Sequence, residues 1–354
     1  MKPKNLKSLV QHLSTVESTG SPMLSCFLKL DRPLSESFRE IQTRANLIRS
    51  RLGGQARSDF DDAFRDIESY LNLEIQKSTR GVVIYSRWGD DPVFLPLQFA
   101  VPIESQLIVG SLPHIYPLIE LKDTYHRFVI VIATSKEARI LETTIGSVTE
   151  DILTERPELR ERVGREWTVE RYQNHKHERE QQFVREKVAM IEDLMSRKGH
   201  NHLIVTGSTK MASRLTKALP THLQEKVIST FSANPNSGLS PILLESIRLF
   251  VEAENAESHS LVELLEARFL SGGLAVIGYE ACREMLLINN ADALVVDQNF
   301  DESEQREELV RLANERSVPI ETVSCSDTLV RLGGVGCLLR YLPRPDALAT
   351  SSVA

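Results

Sequence analysis

The chain has no pair of cysteines close enough in sequence to suggest a metal knuckle or a redox couple. Cys26, Cys282, Cys325 and Cys337 are scattered, and none stands in a Cys-x-x-Cys motif. Buried free thiols in a reducing compartment are the reading they support. There is no apolar run near the ~18 residues that a membrane span needs. The opening MKPKNLKSLVQHL is basic but has no apolar core of the secretion-signal kind. A basic excess is missing too: the net charge of -7 argues against a protein that coats DNA. It leaves room for RNA contacts confined to local patches. No Ser-His-Asp or Cys-His arrangement can be read from the sequence, and no cofactor is expected. These absences lead to the expectation of a soluble, cytoplasmic, monomeric protein without a membrane partner.

What is present is a packed chain. Hydrophobic residues make up 41% and charged residues 26% of 354 positions, which suits two or three globular domains. A short helix is expected over Leu6–Val16, then a break at STGSP and a strand at MLSCFLKLD. Helical runs follow over Ser35–Leu52 and Asp59–Leu73. RGVVIYSRW and VFLPLQFAV read as strands about the turn WGDDP, and SQLIVGS as a third, closing an α+β domain over 1–122.

From RFVIVIATSKEARILET onward, strands alternate with helices, which implies an α/β domain over 123–238 with an open mixed sheet. Val184, Val188, Ile191 and Met195 mark the buried face of a long helix ending near Ser196. A second long helix, Leu239–Ser271, leads into another α/β domain, 239–343, built on GLAVIGYEACREMLLINNADALVVDQNF and closed by LGGVGCLLRY. Residues 344–354 read as a disordered tail.

Three of these stretches carry a family resemblance. REQQFVREKVAMIEDLM resembles the long middle-domain helix of the archaeo-eukaryotic release factor superfamily, which includes the eukaryotic class-one release factor and Pelota. GLAVIGYEACREMLLINNADALVVDQNF resembles the signature of its third domain, and LGGVGCLLRY its terminal segment. The bacterial branch is the nearest likeness. The resemblance covers about residues 125–343 and implies a middle α/β domain followed by a domain whose fold is shared with kink-turn-binding ribosomal proteins. Residues 1–122 contain no Asn-Ile-Lys-Ser or Cys-containing decoding motif.

In that family a Gly-Gly-Gln loop ahead of the long helix places water against the peptidyl-tRNA ester. This chain has one Gly-Gly-Gln, at Gly53-Gly54-Gln55, between two amphipathic runs of the first domain. There it reads as a helix–helix linker, with glycine ending one helix and Ser58 or Asp59 capping the next. Register with FVREKV puts Val163-Gly164-Arg165 where the family tip belongs, and no Gly-Gly occurs in 123–180. The resemblance therefore implies no catalytic residue of the family type.

The surrounding segment, Glu155–Lys187, holds nine Lys/Arg and eight Glu. Such interleaving suits a solvated, salt-bridged face. The functional alternative is an RNA-binding loop made by Arg160, Arg162, Val163, Gly164, Arg165, Trp167, Arg171 and Tyr172, through phosphate contacts and stacking. His175 and His177 would diverge on a helix, so one metal ion would not take both, and His200 and His202 would share a face if extended, with a surface or packing role expected and no metal. VTGSTKMA is too short for a phosphate-binding loop, so Ser208 or Thr209 reads as a helix cap. LGGVGC reads as a tight turn.

The resemblance implies a ribosome-associated translation factor acting in rescue or hibernation, without stop-codon reading or Gly-Gly-Gln hydrolysis. Its partners would be the ribosome, through rRNA and P-site tRNA, and a protein partner of the third domain. Two other readings stay open: an ester hydrolase, or release factor, with a divergent tip, and a protein-binding adaptor.

Overall fold

Leu6, Val10 and Leu13 recur at helical spacing, and all three are buried on the first helix, α1 (Leu6–Ser14). The computed structural model describes residues 6–134, 137–155, 169–233, 238–300, 303–324 and 326–342. The chain divides into two compact units: Met1–Thr124 with Glu254–Ala354, and Tyr125–Ala253. It is a mixed α/β protein with three sheets.

The first stretch contributes β1 (Met23–Lys29), α2 (Leu34–Arg51), α3 (Gly54–Leu73), β2 (Gly81–Arg87), β3 (Val93–Phe99), β4 (Gln106–Gly110) and α4 (Tyr116–Thr124). Its strands form an antiparallel sheet in the order β3-β2-β1-β4. Alternate residues Leu24, Cys26, Leu28, Val82 and Ile84 face α2 and α3, which return Ile41, Phe60, Phe64 and Ile67. Burying each such side chain contributes roughly 1.5–3 kcal/mol. Pro96 sits in β3 without breaking the sheet because β3 is an edge strand.

The middle unit begins with β5 (Phe128–Ala133), β6 (Glu137–Thr144) and β7 (Ser147–Glu155), followed by the long helix α5 (Val169–Lys198). Then come β8 (Leu203–Gly207), α6 (Thr209–Ala218), α7 (Thr221–Gln224), β9 (Val227–Ser232) and the start of α8 (Leu239–Leu270). The sheet order is β7-β6-β5-β8-β9. β5, β8 and β9 run parallel, whereas β6 and β7 return antiparallel, so the sheet is mixed, as the sequence implied. One face carries Val129, Val131, Ile140, Leu203 and Val205 against Phe183, Ile191, Leu194 and Met195 of α5. The opposite face packs Phe128, Ile130 and Ile204 against Ile242 and Phe250 of α8. Gly207 must be glycine: its φ is +119°, and an added Cβ would lie 2.1 Å from the Ala133 carbonyl oxygen.

The last stretch holds β10 (Ala275–Ile277), α9 (Tyr279–Leu287), β11 (Ala291–Asp297), α10 (Ser303–Glu315), β12 (Ile320–Val323), α11 (Asp327–Arg331) and β13 (Val335–Leu339). The sheet order is β10-β13-β11-β12, and only β11 and β12 are parallel. Its core joins Val295, Val323, Leu329 and Leu338 to Val262 and Leu265 of α8. The expected Gly-Gly turn is there, with Gly333 and Gly334 both at positive φ just before β13. β12 is an edge strand, and the side away from β11 is fastened by Asp123 of α4. One Asp123 oxygen accepts from the Thr322 backbone N–H at 2.5 Å and from its hydroxyl at 2.7 Å.

Several sequence expectations change in detail. α3 begins at Gly54 with Gly53 at its N-cap, so neither Ser58 nor Asp59 caps it. Ser208 does occupy the N-cap of α6, but its side chain makes no capping hydrogen bond. His200 and His202 do not share a face, because residues 200–202 precede β8 and are not extended strand. Cys26, Cys282 and Cys337 are buried free thiols, as expected. Among the described residues no helix is long and apolar enough to cross a membrane. The expected tail, 344–354, and Cys325 lie outside the described residues.

Candidate functional site

The long helix is the element that would present a tip, so its two ends define the site. α5 has 30 residues and is about 45 Å long. The chain leaves the sheet at the end of edge strand β7 and re-enters described structure at Val169. Arg160, Arg162, Val163, Gly164, Arg165 and Trp167 fall between these points and lie outside the described residues. The backbone of Arg171, Tyr172, His175 and His177 belongs to α5.

The elements on either side of residues 156–168 are fastened by ion pairs. Across β6 and β7, Arg139 grips Asp151 with two parallel hydrogen bonds, at 2.9 and 2.5 Å. The fork geometry suits a carboxylate, and the Asp151 carboxyl is held below its ordinary pKa chiefly by that hydrogen bond. Arg214 of α6 donates to Glu180, tying α5 to its neighbour.

The base of α5 is fixed by a polar clamp that sequence reading missed. Glu142 of β6 is buried, and its carboxylate meets His200 Nε2 at 3.0 Å and Lys198 Nζ at 2.7 Å. Lys198 also reaches Glu150 at 2.5 Å, and the Thr149 hydroxyl donates to Glu142 at 2.9 Å. Burial alone would raise the Glu142 pKa, yet hydrogen bonds from Lys198 and Thr149 hold it below the ordinary value. His200, also buried, is pushed below the ordinary histidine range, chiefly by loss of water. Cations at a helix C-terminus are favoured by the backbone dipole as well. His202 instead faces His126, with Nδ1 and Nε2 3.0 Å apart, and both rings pack edge-on to Phe250. Sequence spacing gave no hint of that pairing, since the partners are 76 residues apart.

The Gly-Gly-Gln of the first unit is built differently. Gly53 is extended and Gly54 sits at φ +56° as the first residue of α3, so the tripeptide is a junction between α2 and α3. The Gln55 amide donates to Asp59 one turn along at 2.7 Å, and the Ser21 hydroxyl donates to the other Asp59 oxygen at 2.7 Å. Gln55 therefore helps seat a buried carboxylate in the fold and presents no strained tip.

In the same unit, Glu307 of α10 accepts from the backbone N–H of Ile115 at 2.8 Å and of Tyr116 at 3.1 Å, at the start of α4. His114 Nδ1 lies 2.9 Å from it and Arg311 Nε 3.4 Å. Burial opposes the charge, but these partners, His114 foremost, hold the Glu307 carboxyl below its ordinary pKa.

Comparison with known proteins adds the family. The model of Bacterial archaeo-eukaryotic release factor family 10 matches residues 113–247, a span that includes β5 through β9, α5 and the first turns of α8. No curated protein matches the chain. Among solved structures, Dom34 of S. cerevisiae is similar at 11% identity, covering 98% of this chain and 94% of that one, with a TM-score of 0.47. Archaeoglobus fulgidus Pelota is similar at 16% identity over 96% and 94%, TM-score 0.39. An archaeal translation termination factor, aRF1, is similar at 15% identity over 96% and 99%, TM-score 0.29. At these scores the structural likeness is loose and supports none of the assignments below. Residues 113–247, the stretch that carries the long helix and its clamp, are thus similar to a bacterial archaeo-eukaryotic release factor family.

Proposed function

We propose that this protein is a ribosome-associated factor that enters the A site in rescue or hibernation without reading stop codons and without hydrolysing peptidyl-tRNA. The observation that carries the reading is the family match over residues 113–247, combined with Val163-Gly164-Arg165 at the register position of the family tip. Support comes from the one Gly-Gly-Gln in the chain, whose glutamine is engaged with Asp59 at a helix junction. In this reading Arg160, Arg162, Arg165 and Arg171 contact phosphates, while Trp167 and Tyr172 stack on bases. The rigid base of α5, fixed by Glu142, Lys198 and His200, suits a helix that must hold a loop far from its own sheet.

The test has two arms. Replacing the four arginines together with glutamate should abolish co-sedimentation with ribosomes; unchanged binding removes the proposed loop contact. In a peptidyl-tRNA release assay the native chain should be inactive, and Gln55→Ala should alter neither assay. Robust release that depends on Arg165 would replace this reading with that of a hydrolase with a divergent tip.

A further inference from the structure

Trp88 and Phe94 are large aromatics left in water, each 45% exposed. They stand on one face of the β2–β3 hairpin. Phe94 pairs with Ser86 in register and Trp88 lies two residues beyond Ser86, so the rings are diagonal neighbours. Both are held in place. The Trp88 indole N–H donates to Asp66 at 2.5 Å, and Phe94 meets Tyr70 edge-on with ring centroids 6.1 Å apart. Tyr70 is steadied in turn by the Gln98 amide, which donates to its hydroxyl at 2.7 Å. Asp66, Tyr70 and Leu73 follow one another at helical spacing on α3, and Leu73 is 83% exposed. The result is an apolar ridge ordered before any partner arrives, which lowers the entropic cost of binding.

The charge beside the ridge is one-sided. Residues 59–91 hold eight Asp/Glu and four Lys/Arg, a balance of -4 within a chain of -7. Two of those four cations are already committed. Arg87 is fully buried, donating to Asp91 and to the Glu17 carbonyl, and Arg65 donates to Asp62 at 2.7 Å. Phosphates would be repelled here. A lysine or arginine fits both features: its aliphatic stem lies on Phe94 and Leu73, and its charge meets a carboxylate or the face of Trp88.

We propose that the ridge of Trp88, Phe94 and Leu73, flanked by Asp66, Glu74 and Asp90, docks a lysine- or arginine-rich protein segment. This gives the first sheet a protein partner. The surface has the composition of a binding hot spot, aromatic at its centre and polar at its rim.

The experiment is fluorescence anisotropy on the full chain with a labelled peptide of alternating lysine and leucine. A matching glutamate–leucine peptide and labelled polyuridylate serve as comparisons. The lysine–leucine peptide should bind, with affinity falling in high salt, and Trp88→Ala with Phe94→Ala should weaken it about tenfold. Leu73→Ser, at a position too exposed to affect folding, should weaken it in the same direction. Binding that is absent, or equal in native and variant chains, overturns the proposal. So does equal binding of the acidic peptide, or polyuridylate binding that is lost with the two rings.

Discussion

The two glutamates that hold helix ends make an instructive pair. Glu307 sits at the N-terminus of α4 and is satisfied largely by backbone N–H groups, with His114 and Arg311 beside it. Glu142 sits below the C-terminal end of α5 and accepts from the side chains of Lys198 and Thr149, with His200 Nε2 3.0 Å away. Each follows the helix dipole: a carboxylate meets the positive end of one helix, and cations carried at the negative end of the other meet a carboxylate. Both sites include a histidine, but only Glu307 also accepts from backbone N–H groups, which are in place whatever the pH.

Breaking the pair should give effects of different size and different pH range. Glu307→Ala should be the most damaging, because it leaves two backbone N–H groups and the Arg311 guanidinium without their anion. A loss of about 3 kcal/mol is expected, seen in thermal melts as a drop of roughly 9 °C. Since the Glu307 carboxyl is depressed in the fold, its contribution is full above the unfolded value near 4.3. It fades only as pH falls below that, through the folded pKa.

The middle unit should respond sooner. His200 is depressed in the fold, so the unfolded chain takes up a proton first as pH falls past about 6.5, and stability declines from there toward the folded pKa. Melts between neutral pH and about 5.5 should show a fall in stability that His200→Gln removes; an identical slope in the variant would refute this account. Smallest of all should be Glu150→Gln. Its partner Lys198 keeps Glu142 and is one-third exposed, so a change under ~0.5 kcal/mol is expected, and a larger value would mean the clamp acts as a unit.

Much of this fold is written locally. The spacing of Val184, Ile191 and Met195 reveals the buried face of α5, and the Gly-Gly before β13 reveals its turn. The contacts that position the site are different in kind. Glu307 meets Ile115 across 192 residues, and Glu142 meets Lys198 across 56. β13 inserts between β10 and β11, against chain order. Periodicity cannot encode such pairings, because each depends on how separate elements pack. His200 and His202 illustrate the limit: two residues apart in sequence, they serve separate networks. Of the candidate site, only the register that puts Val163-Gly164-Arg165 at the expected tip position is read from the sequence, while the frame that holds α5 is not. Nor was the aromatic ridge, since Trp88 and Asp66 join only when the hairpin lies on α3.

The fastening of Thr322 by Asp123 has a further meaning. Backbone groups on the open side of an edge strand invite another copy of the same strand, and repeated pairing of that kind leads to fibrils. By occupying the outward N–H of β12 with a carboxylate, Asp123 takes away one of the donors that such pairing needs.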